Sequence, residues 1–245
     1  MTGKAAFRMG VAGRAAEVRP MYGEARELCR DYLVPYEGVA DITAEITPED
    51  IQREEAEAAK QGQGIIPPAR LETSAVLRKI ASAMPQYDTF LMHGVVISTA
   101  GQGYMITAPS GTGKSTRARL WTDHIPDSVI VNGDKPFLRV GEDGTEAFGT
   151  PWCGKEGWNV NTSVPLRAIF ILERSENGNC VERLSFGEAF PAILRQTYWP
   201  DGADEQRKTL DLLQAMASSV NIYCFRSEPT LEAVRLAYEA GAEGR

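Results

Sequence analysis

The fold is decided by the stretch Ala108-Pro109-Ser110-Gly111-Thr112-Gly113-Lys114-Ser115-Thr116. An apolar run before it, Tyr104 to Thr107, predicts a strand, and the residues from Arg117 to Trp121 predict the first turns of a helix. A strand, a glycine-bearing loop, a Lys-Ser pair and a helix in this order are typical of a phosphate-binding P-loop, the Walker A motif. The leading glycine of that motif is Ala108 here, so the full pattern is not met.

The chemistry of triphosphate binding accounts for the residue types in this loop. Backbone N–H groups and the positive end of a helix have to face the anion together, and glycine lets the backbone approach the phosphate oxygens closely. We expect Lys114 to contact the β- and γ-phosphates and the Ser115 hydroxyl to ligate Mg²⁺. The alternative is a Ser/Thr/Gly turn that happens to carry a lysine, but the agreement of strand, loop and helix favours a nucleotide. The predicted cofactor-binding residues are Ser110, Gly111, Thr112, Gly113, Lys114, Ser115 and Thr116.

A second predicted strand, Ser128 to Asn132, runs into Gly133 and Asp134. An apolar strand that ends in an aspartate after a P-loop has the layout of a Walker B element, whose carboxylate holds Mg²⁺ directly or through water. We therefore predict that Ser115 and Asp134 are the metal ligands. The alternative is a Gly-Asp turn that closes the strand, and the position downstream of the P-loop favours the metal site.

The composition is that of an ordinary globular protein, with 43% apolar and 24% charged residues among 245. A net charge of −7 and a pI near 5.1 argue against nucleic acid or an anionic membrane surface as the main partner. No apolar run approaches the ~20 residues that span a bilayer, and residues 1–8 lack the apolar core of a signal peptide. We therefore expect a cytoplasmic protein without a membrane partner.

The cysteines are scattered through the chain and show no metal-ligand spacing. With only two histidines, His93 and His124, a zinc site is not expected. A reducing cytosol favours free thiols over the two disulfides that an even count would allow. The four cysteines are Cys29, Cys153, Cys180 and Cys224.

The chain is predicted to divide into a small N-terminal α+β segment, residues 1–68, and a P-loop catalytic domain, residues 69–245. The boundary follows the Gly- and Pro-bearing stretch Gln61 to Pro68, which interrupts a helix that begins at Thr47. The first segment is predicted to contain a β-hairpin over residues 5–19. Its strands could equally pair onto the core sheet.

The catalytic part is predicted to be α/β, with a mixed sheet and flanking helices. A strand over residues 90–97 and a turn at Ala100 to Gly103 place the P-loop at the end of a β-hairpin. Glu173 and Arg174 follow a buried strand and are interpreted as an ordinary surface charge pair. Further predicted elements are helices over 71–84, 203–219 and 231–240, a hairpin over 135–148, strands over 168–172 and 220–225, and a helix opened by the Ser185/Glu188 capping box.

These residues resemble the HPr kinase/phosphorylase group, P-loop kinases with a phosphoenolpyruvate-carboxykinase-like nucleotide-binding core. The resemblance rests on His93-Gly94, on the loop from Pro109 to Thr116, and on the strand that ends in Asn132-Gly133-Asp134. It covers well over half of the chain. Asp134-Lys135-Pro136 and the loop from Gly149 to Lys155 match segments that recur in the shorter HPr-kinase-like proteins.

The resemblance implies ATP-dependent phosphorylation of a hydroxyl, which in HPr kinases is a serine of a carrier protein, and by analogy a homo-oligomer. One position departs from the family. Its second strand usually ends in two adjacent aspartates, the first acting as base toward the acceptor hydroxyl and the second lying near the metal. Gly133 stands in the first position here. Loss of a general base costs about 10²–10⁴-fold, so the departure predicts impairment but does not require inactivity.

The sequence thus predicts an ATP- and Mg²⁺-dependent kinase that phosphorylates a serine-like hydroxyl on a protein, peptide or small molecule. Its predicted catalytic residues are Lys114, Asp134, His93 as the candidate base, and Lys155. The loop that carries Lys155 is either a plain surface turn or a second phosphate contact. The alternative function is a nucleotide-binding protein whose phosphotransfer is weak or lost because of Gly133. The sequence specifies neither the acceptor nor the oligomeric state.

Overall fold

The computed structural model describes residues 5–243. Its contacts divide the chain into two compact units, the first ending at Met84 and the second beginning at Pro85. This division differs from the predicted boundary after residue 68 by one helix, Pro68–Ala83, which packs on the other helices and on a strand of the first unit. The boundary between the units is therefore set by the packing of this helix. The Gly- and Pro-rich stretch from Gln61 to Pro68 marks a loop and does not show on which unit the next helix packs.

The first unit is an α+β unit with its own three-stranded sheet. Strands β1 and β2 form the predicted antiparallel hairpin, and β3 pairs with β2 in parallel. Thr47 and Asp50 form the capping box that opens α2. Its elements are β1 (Phe7–Val11), β2 (Arg14–Arg19), α1 (Glu24–Leu28), a 3₁₀ helix (Arg30–Tyr32), β3 (Ile42–Glu45), α2 (Pro48–Lys60) and α3 (Pro68–Ala83).

Asp50 joins α2 to α3 through two cations. Its Oδ1 lies 2.6 Å from Arg78 Nη2, and its Oδ2 lies 2.7 Å from Lys79 Nζ. Burial raises the pKa of this carboxyl, but the bonds from Lys79, Arg78 and the Thr47 backbone outweigh it and lower the pKa to about 2. The carboxylate is therefore bound more strongly in the folded protein than in the unfolded chain.

Asp50→Asn is expected to lower the free energy of unfolding at pH 7 by about 2 kcal/mol. Because the folded pKa lies below the unfolded value, the stabilisation is complete above the unfolded pKa and is lost as the pH falls through the folded pKa. Urea denaturation of wild type and variant at pH 7 and at decreasing pH measures this, and the two curves should converge near the acid end. Glu57→Gln, on the exposed face of the same helix, is the control. Equal stability of wild type and Asp50→Asn at pH 7 would contradict the assignment.

The second unit is built on a sheet of nine strands with helices on both faces. Its strands are β4 (Thr89–Leu91), β5 (Val95–Thr99), β6 (Gln102–Thr107), β7 (Ser128–Asn132), β8 (Phe137–Gly141), β9 (Gly144–Phe148), β10 (Ser163–Arg174), β11 (Cys180–Arg183) and β12 (Asn221–Ser227). Its helices are α4 (Lys114–His124), α5 (Phe186–Gln196), α6 (Ala203–Ser219) and α7 (Leu231–Glu243), and a 3₁₀ helix, Met84–Tyr87, spans the division between the units.

The long strand β10 belongs to both halves of this sheet. Its first residues, Ser163 to Pro165, pair with β9 in the antiparallel direction. From Leu166 it pairs with β6 in parallel, with a register shift between Leu166 and Ala168, and from Ala168 it pairs with β12 in parallel. Strand β5 is antiparallel to β6, and β7 is antiparallel to β5. Strands β6, β7, β10 and β12 therefore all run in one direction, so their carboxyl ends lie at the same edge of the sheet.

Two apolar clusters fill the faces of the sheet. One is packed under α5 and α6, and the other under α4 and α7, where the indole of Trp121 is fully buried. The prediction of a mixed α/β sheet with flanking helices is confirmed.

All four cysteines are free thiols. Within residues 5–243, every helix is too short or too polar to cross a bilayer.

One predicted strand, residues 90–97, is wrong in its extent. The structure has two strands there, because β4 pairs with β8 while β5 pairs with β6 and β7. The three residues between them, Met92 to Gly94, cross from one half of the sheet to the other. His93 therefore lies in a connection and has a backbone that is free to bond elsewhere, which it does with Gln196.

Candidate functional site

The loop after β6 has the backbone shape that its glycines predict. It runs from Ala108 to Gly113, and Gly111 and Gly113 have φ angles of +80° and +108°. These left-handed conformations are strained for any residue with a side chain. A Cβ atom at Gly113 would also collide with the guanidinium of Arg117. The predicted order of strand, glycine loop and helix is present, since α4 begins at Lys114.

A group of backbone N–H donors in this loop has no acceptor. Helix α4 has no side-chain cap at its N-terminus, so its first N–H groups stay unpaired. Among residues 5–243, no acceptor is bonded to the N–H groups of Gly111, Gly113, Lys114, Ser115 or Thr116. Unpaired donors at a helix N-terminus attract an anion.

The ammonium group of Lys114 lies inside the curl of the loop. The residue is only 7% exposed, and Nζ donates to the carbonyl oxygens of Ala108 at 2.8 Å and Pro109 at 3.2 Å. Burial lowers the pKa of this amine, the charge of Asp134 opposes that shift, and Lys135 adds to it. Within the described part of the chain the ammonium forms no ion pair with a carboxylate, so its charge is available to a bound anion.

Two arginines add positive charge to the same loop. Arg174, the last residue of β10, donates from Nε to Thr112 O at 3.2 Å and from Nη2 to Gly111 O. The buried Arg117 donates to the hydroxyl and carbonyl of Ser227, at 3.2 and 2.5 Å. Burial first, and then the charge of Arg174, lower the pKa of Arg117. Neither arginine pairs with a carboxylate in residues 5–243.

The interpretation of Glu173 and Arg174 as a surface charge pair is wrong. Neighbouring residues of a strand point to opposite faces of the sheet, so the two side chains diverge. Glu173 pairs with Arg226 of β12 at 3.2 Å, and Arg174 turns to the loop that follows β6.

The turn after β7 is held by a buried amide. Asn132 is fully buried, and its Oδ1 accepts from the N–H groups of Asp134 at 2.9 Å and Lys135 at 2.7 Å. Its Nδ2 donates to Thr150 O at 3.0 Å. An Asx turn of this kind fixes the backbone that follows it. It places the Asp134 carboxylate at the edge of the sheet where β6 ends and the loop from Ala108 to Gly113 begins.

His93 and Asp134 form a pair. His93 Nε2 lies 3.1 Å from Asp134 Oδ1, and Nδ1 lies 2.9 Å from Gln196 Oε1. Two backbone bonds support the pair, since His93 N–H donates to Gln196 O at 2.7 Å and Gly94 N–H donates to Asp134 O at 2.9 Å. Both ring nitrogens are therefore engaged, whereas Asp134 keeps one carboxylate oxygen, Oδ2, outside the histidine contact.

The Asp134 carboxylate is stabilised in its ionised form. Burial raises its pKa, but the hydrogen bond of His93 and the charges of Lys135, His93 and Lys114 outweigh burial, so the pKa lies below its ordinary value. The Lys135 ammonium lies 3.8 Å from Oδ2. An ionised, partly exposed carboxylate beside cations can accept a proton or ligate a metal ion.

Gly133 lies against the loop that follows β9 and has no room for a side chain. A Cβ atom there would lie 2.7 Å from the carbonyl oxygen of Cys153 and 3.3 Å from that of Trp158. The N–H of Gly133 donates to the same Trp158 oxygen at 2.8 Å. Gly154 of this loop packs on Asp134, where an added Cβ would lie 3.2 Å from Asp134 Cβ. Glycine at position 133 is thus required by this packing.

Gly133→Ala is expected to lower the free energy of unfolding by about 1–3 kcal/mol, because the added methyl group displaces a well-packed backbone. Chemical denaturation measures the change. Gly187→Ala in α5 is the matched control, since a Cβ there meets nothing within 4 Å. A Gly133→Asp variant that is as stable as the wild type, and that transfers phosphate faster, would show that the position merely lacks a carboxylate.

The structure does not join Lys155 to the other predicted catalytic residues. Its side chain is 89% exposed, and Nζ lies 3.9 Å from the neighbouring Glu156. The loop that carries it contacts Gly133 and Asp134 through its backbone. Lys114, His93 and Asp134 are brought to one region, since the charges of Lys114 and His93 both act on the Asp134 carboxyl group.

A sequence model of the family described as SynChlorMet cassette protein ScmC matches residues 69–199, more than half of the chain. The chain belongs to the ScmC family. The ScmC match contains every predicted site residue, from His93 to Lys155, and it also contains Arg174 and Gln196. The family description states no activity.

Other comparisons with known proteins add little to the ScmC assignment. No curated protein matches the sequence. One solved structure with a distant similarity is the HPr(Ser) kinase/phosphatase from Coxiella burnetii, at 13% identity and a TM-score of 0.36. The match covers 63% of this chain and 99% of that one.

Four contributors to the site of this ScmC family member lie outside the sequence-based prediction. Arg117 carries a weak signal, because it stands one turn after Gly113 on the face that the loop covers. Arg174 stands at the carboxyl end of a predicted buried strand, where parallel strands place functional groups. Asn132 carries the local signal of an Asx turn before Gly133, whereas Gln196 carries no signal, since its role depends on a contact with His93 in a distant segment.

Proposed function

We propose that this protein binds Mg-ATP on the loop from Ala108 to Thr116 and transfers the terminal phosphoryl group to a hydroxyl of a protein, peptide or small molecule. The observation that carries the proposal is the set of unpartnered backbone N–H groups around the buried Lys114 ammonium. This set matches a chain of phosphates in charge and in hydrogen-bonding capacity. It lies at the edge of the sheet that also carries Asp134.

The residues present fit a magnesium ion that is shared with the nucleotide. Among residues 5–243, no group of three or more His, Cys, Asp and Glu side chains could hold a metal ion. The Ser115 hydroxyl would supply one oxygen ligand and Asp134 would hold the ion through a bound water, with phosphate oxygens completing the shell, as Mg²⁺ prefers. When bound, Mg²⁺ neutralises charge on the phosphates.

We assign the proton-accepting role to Asp134. Both ring nitrogens of His93 face other groups, at 3.1 and 2.9 Å, so the imidazole has no free nitrogen for an acceptor hydroxyl. Asp134 is ionised, because its pKa is lowered by His93 and the neighbouring cations. His93 orients the carboxylate and stabilises its charge. Lys114 is assigned to the developing charge on the transferred group, where positioning and electrostatics supply most of the rate.

A second function has support from one observation. The packing around Gly133 excludes the additional carboxylate that the resemblance would place there. A protein that binds nucleotide and transfers phosphate slowly or not at all is therefore the competing proposal. The kinase and the nucleotide-binding protein differ in one measurable step, the transfer of the terminal phosphoryl group.

Calorimetry with Mg-ATP and incubation with γ-labelled ATP test both proposals on the wild-type protein. Water and a library of serine-bearing peptides serve as acceptors, so that slow hydrolysis is also recorded. Binding together with label released to water or entering a peptide supports the kinase. Binding with neither supports the nucleotide-binding protein. No binding of Mg-ATP overturns both.

A further inference from the structure

Arg174 is held in place by the centre of the sheet. It ends β10, which pairs with β6 on one side and with β12 on the other. Because β6 leads directly into the phosphate-binding loop, the end of β10 lies beside that loop. The guanidinium bonds two consecutive carbonyl groups of the loop, those of Gly111 and Thr112.

We infer that Arg174 is a positioning residue that clamps residues 111–113 in the phosphate-binding conformation. This inference rests on the proposed function. In a trans peptide unit the C=O and N–H groups point in opposite directions. Fixing the carbonyl of Thr112 toward Arg174 therefore turns the N–H of Gly113 to the other side, where it has no acceptor among the described residues.

The lysine completes the same arrangement from inside the loop. The ammonium of Lys114 bonds the carbonyls of Ala108 and Pro109. Two cations thus hold four loop carbonyls. Of the N–H groups in the same peptide units, that of Thr112 donates to Pro109 O, whereas those of Ser110 and Gly113 have no acceptor among residues 5–243 and are left for an anion. The planar fork of an arginine reaches two adjacent carbonyls at once, which a single ammonium at that position does not reproduce.

The charge of Arg174 alone does not explain its position. Its side chain is exposed, and Arg174 lies close enough to the buried Arg117 to lower the pKa of that residue. No carboxylate pairs with Arg174 in residues 5–243, and Glu173 pairs elsewhere. Among residues 5–243, Arg174 donates to the two loop carbonyls of Gly111 and Thr112.

The test compares Arg174→Ala and Arg174→Lys with Arg226→Ala. Arg226 is the matched control, because it stands on the neighbouring strand β12 with a half-exposed side chain and pairs with Glu173. Hydrogen exchange of the two hydrogen-bonded amides of this loop, Thr112 N–H to Pro109 O and Arg117 N–H to Gly113 O, is measured without nucleotide, and the Kd of Mg-ATP is measured by calorimetry. Thermal unfolding shows whether each variant is folded.

Arg174→Ala is expected to speed exchange of these amides and to weaken Mg-ATP binding, each by about tenfold or more, because the local opening free energy falls. Arg174→Lys should resemble Arg174→Ala, and Arg226→Ala should resemble the wild type. Unchanged exchange in Arg174→Ala, or wild-type exchange in Arg174→Lys, overturns the clamp. A wild-type protein that binds no Mg-ATP overturns the proposed function, and the exchange rates still decide whether the loop is clamped.

Discussion

Lys114→Met is expected to abolish measurable Mg-ATP binding, with a loss of affinity of about 100-fold or more, ~2.7 kcal/mol. The ammonium is the one loop cation inside the curl of the backbone, and charge-assisted bonds to phosphate are among the strongest that a side chain makes. Methionine keeps the unbranched, apolar part of the side chain and removes the charge. Calorimetry with Mg-ATP measures the effect.

The variant should remain folded. Lys114 is 7% exposed and burial lowers its pKa, so replacing the charge with a thioether removes an unfavourable burial. Lys155→Met is the control, since that side chain is 89% exposed, and it also tests the predicted phosphate contact of Lys155. Undiminished heat of binding in Lys114→Met would remove the basis of the proposed function. A loss in Lys155→Met of similar size would restore Lys155 to the site.

Asp134→Asn is expected to lower the transfer rate by about 10²–10⁴-fold, the cost of losing a general base. The amide keeps the shape of the carboxylate and accepts a hydrogen bond from His93, but it neither takes a proton nor neutralises a metal ion. The rate is measured as label from γ-labelled ATP released to water or transferred to an acceptor. Mg-ATP affinity, measured in parallel, separates the loss of a metal ligand from the loss of the base.

The variant His93→Gln distinguishes the role of His93 from that of Asp134. Because the histidine orients Asp134 and does not face the acceptor, its replacement should lower the rate less than Asp134→Asn does. Asp143→Asn, in the turn between β8 and β9, is the control outside the site. If His93→Gln proves the more damaging variant, the histidine is the base and Asp134 supports it.

The parts of the fold and of the site that local sequence determines were predictable. The order of strand, glycine loop, Lys114 and helix follows from neighbouring residues, and so does the cap at Thr47, because a hydroxyl and a carboxylate three residues apart satisfy the same helix end. The structure has both features. Nucleotide binding itself stays a prediction.

The parts that depend on pairing between distant segments were not predictable. The break between β4 and β5 arises because the two strands have different partners. The direction of Arg174 depends on β10 lying beside β6. The requirement for glycine at position 133 becomes visible only when the loop with Cys153 is placed against it, since sequence alone shows a missing aspartate and not the absence of space.

The central position of β10 bears on the entropy of binding. From Ala168 to Ile171 both edges of this strand are hydrogen-bonded, to β6 and to β12, so the segment that leads to Arg174 cannot fray from either side. Under the proposed function, a loop bonded to the end of such a strand is ordered before the nucleotide arrives. Ordering of a loop is one of the main costs of association, so the proposed clamp would lower the entropic cost of nucleotide binding.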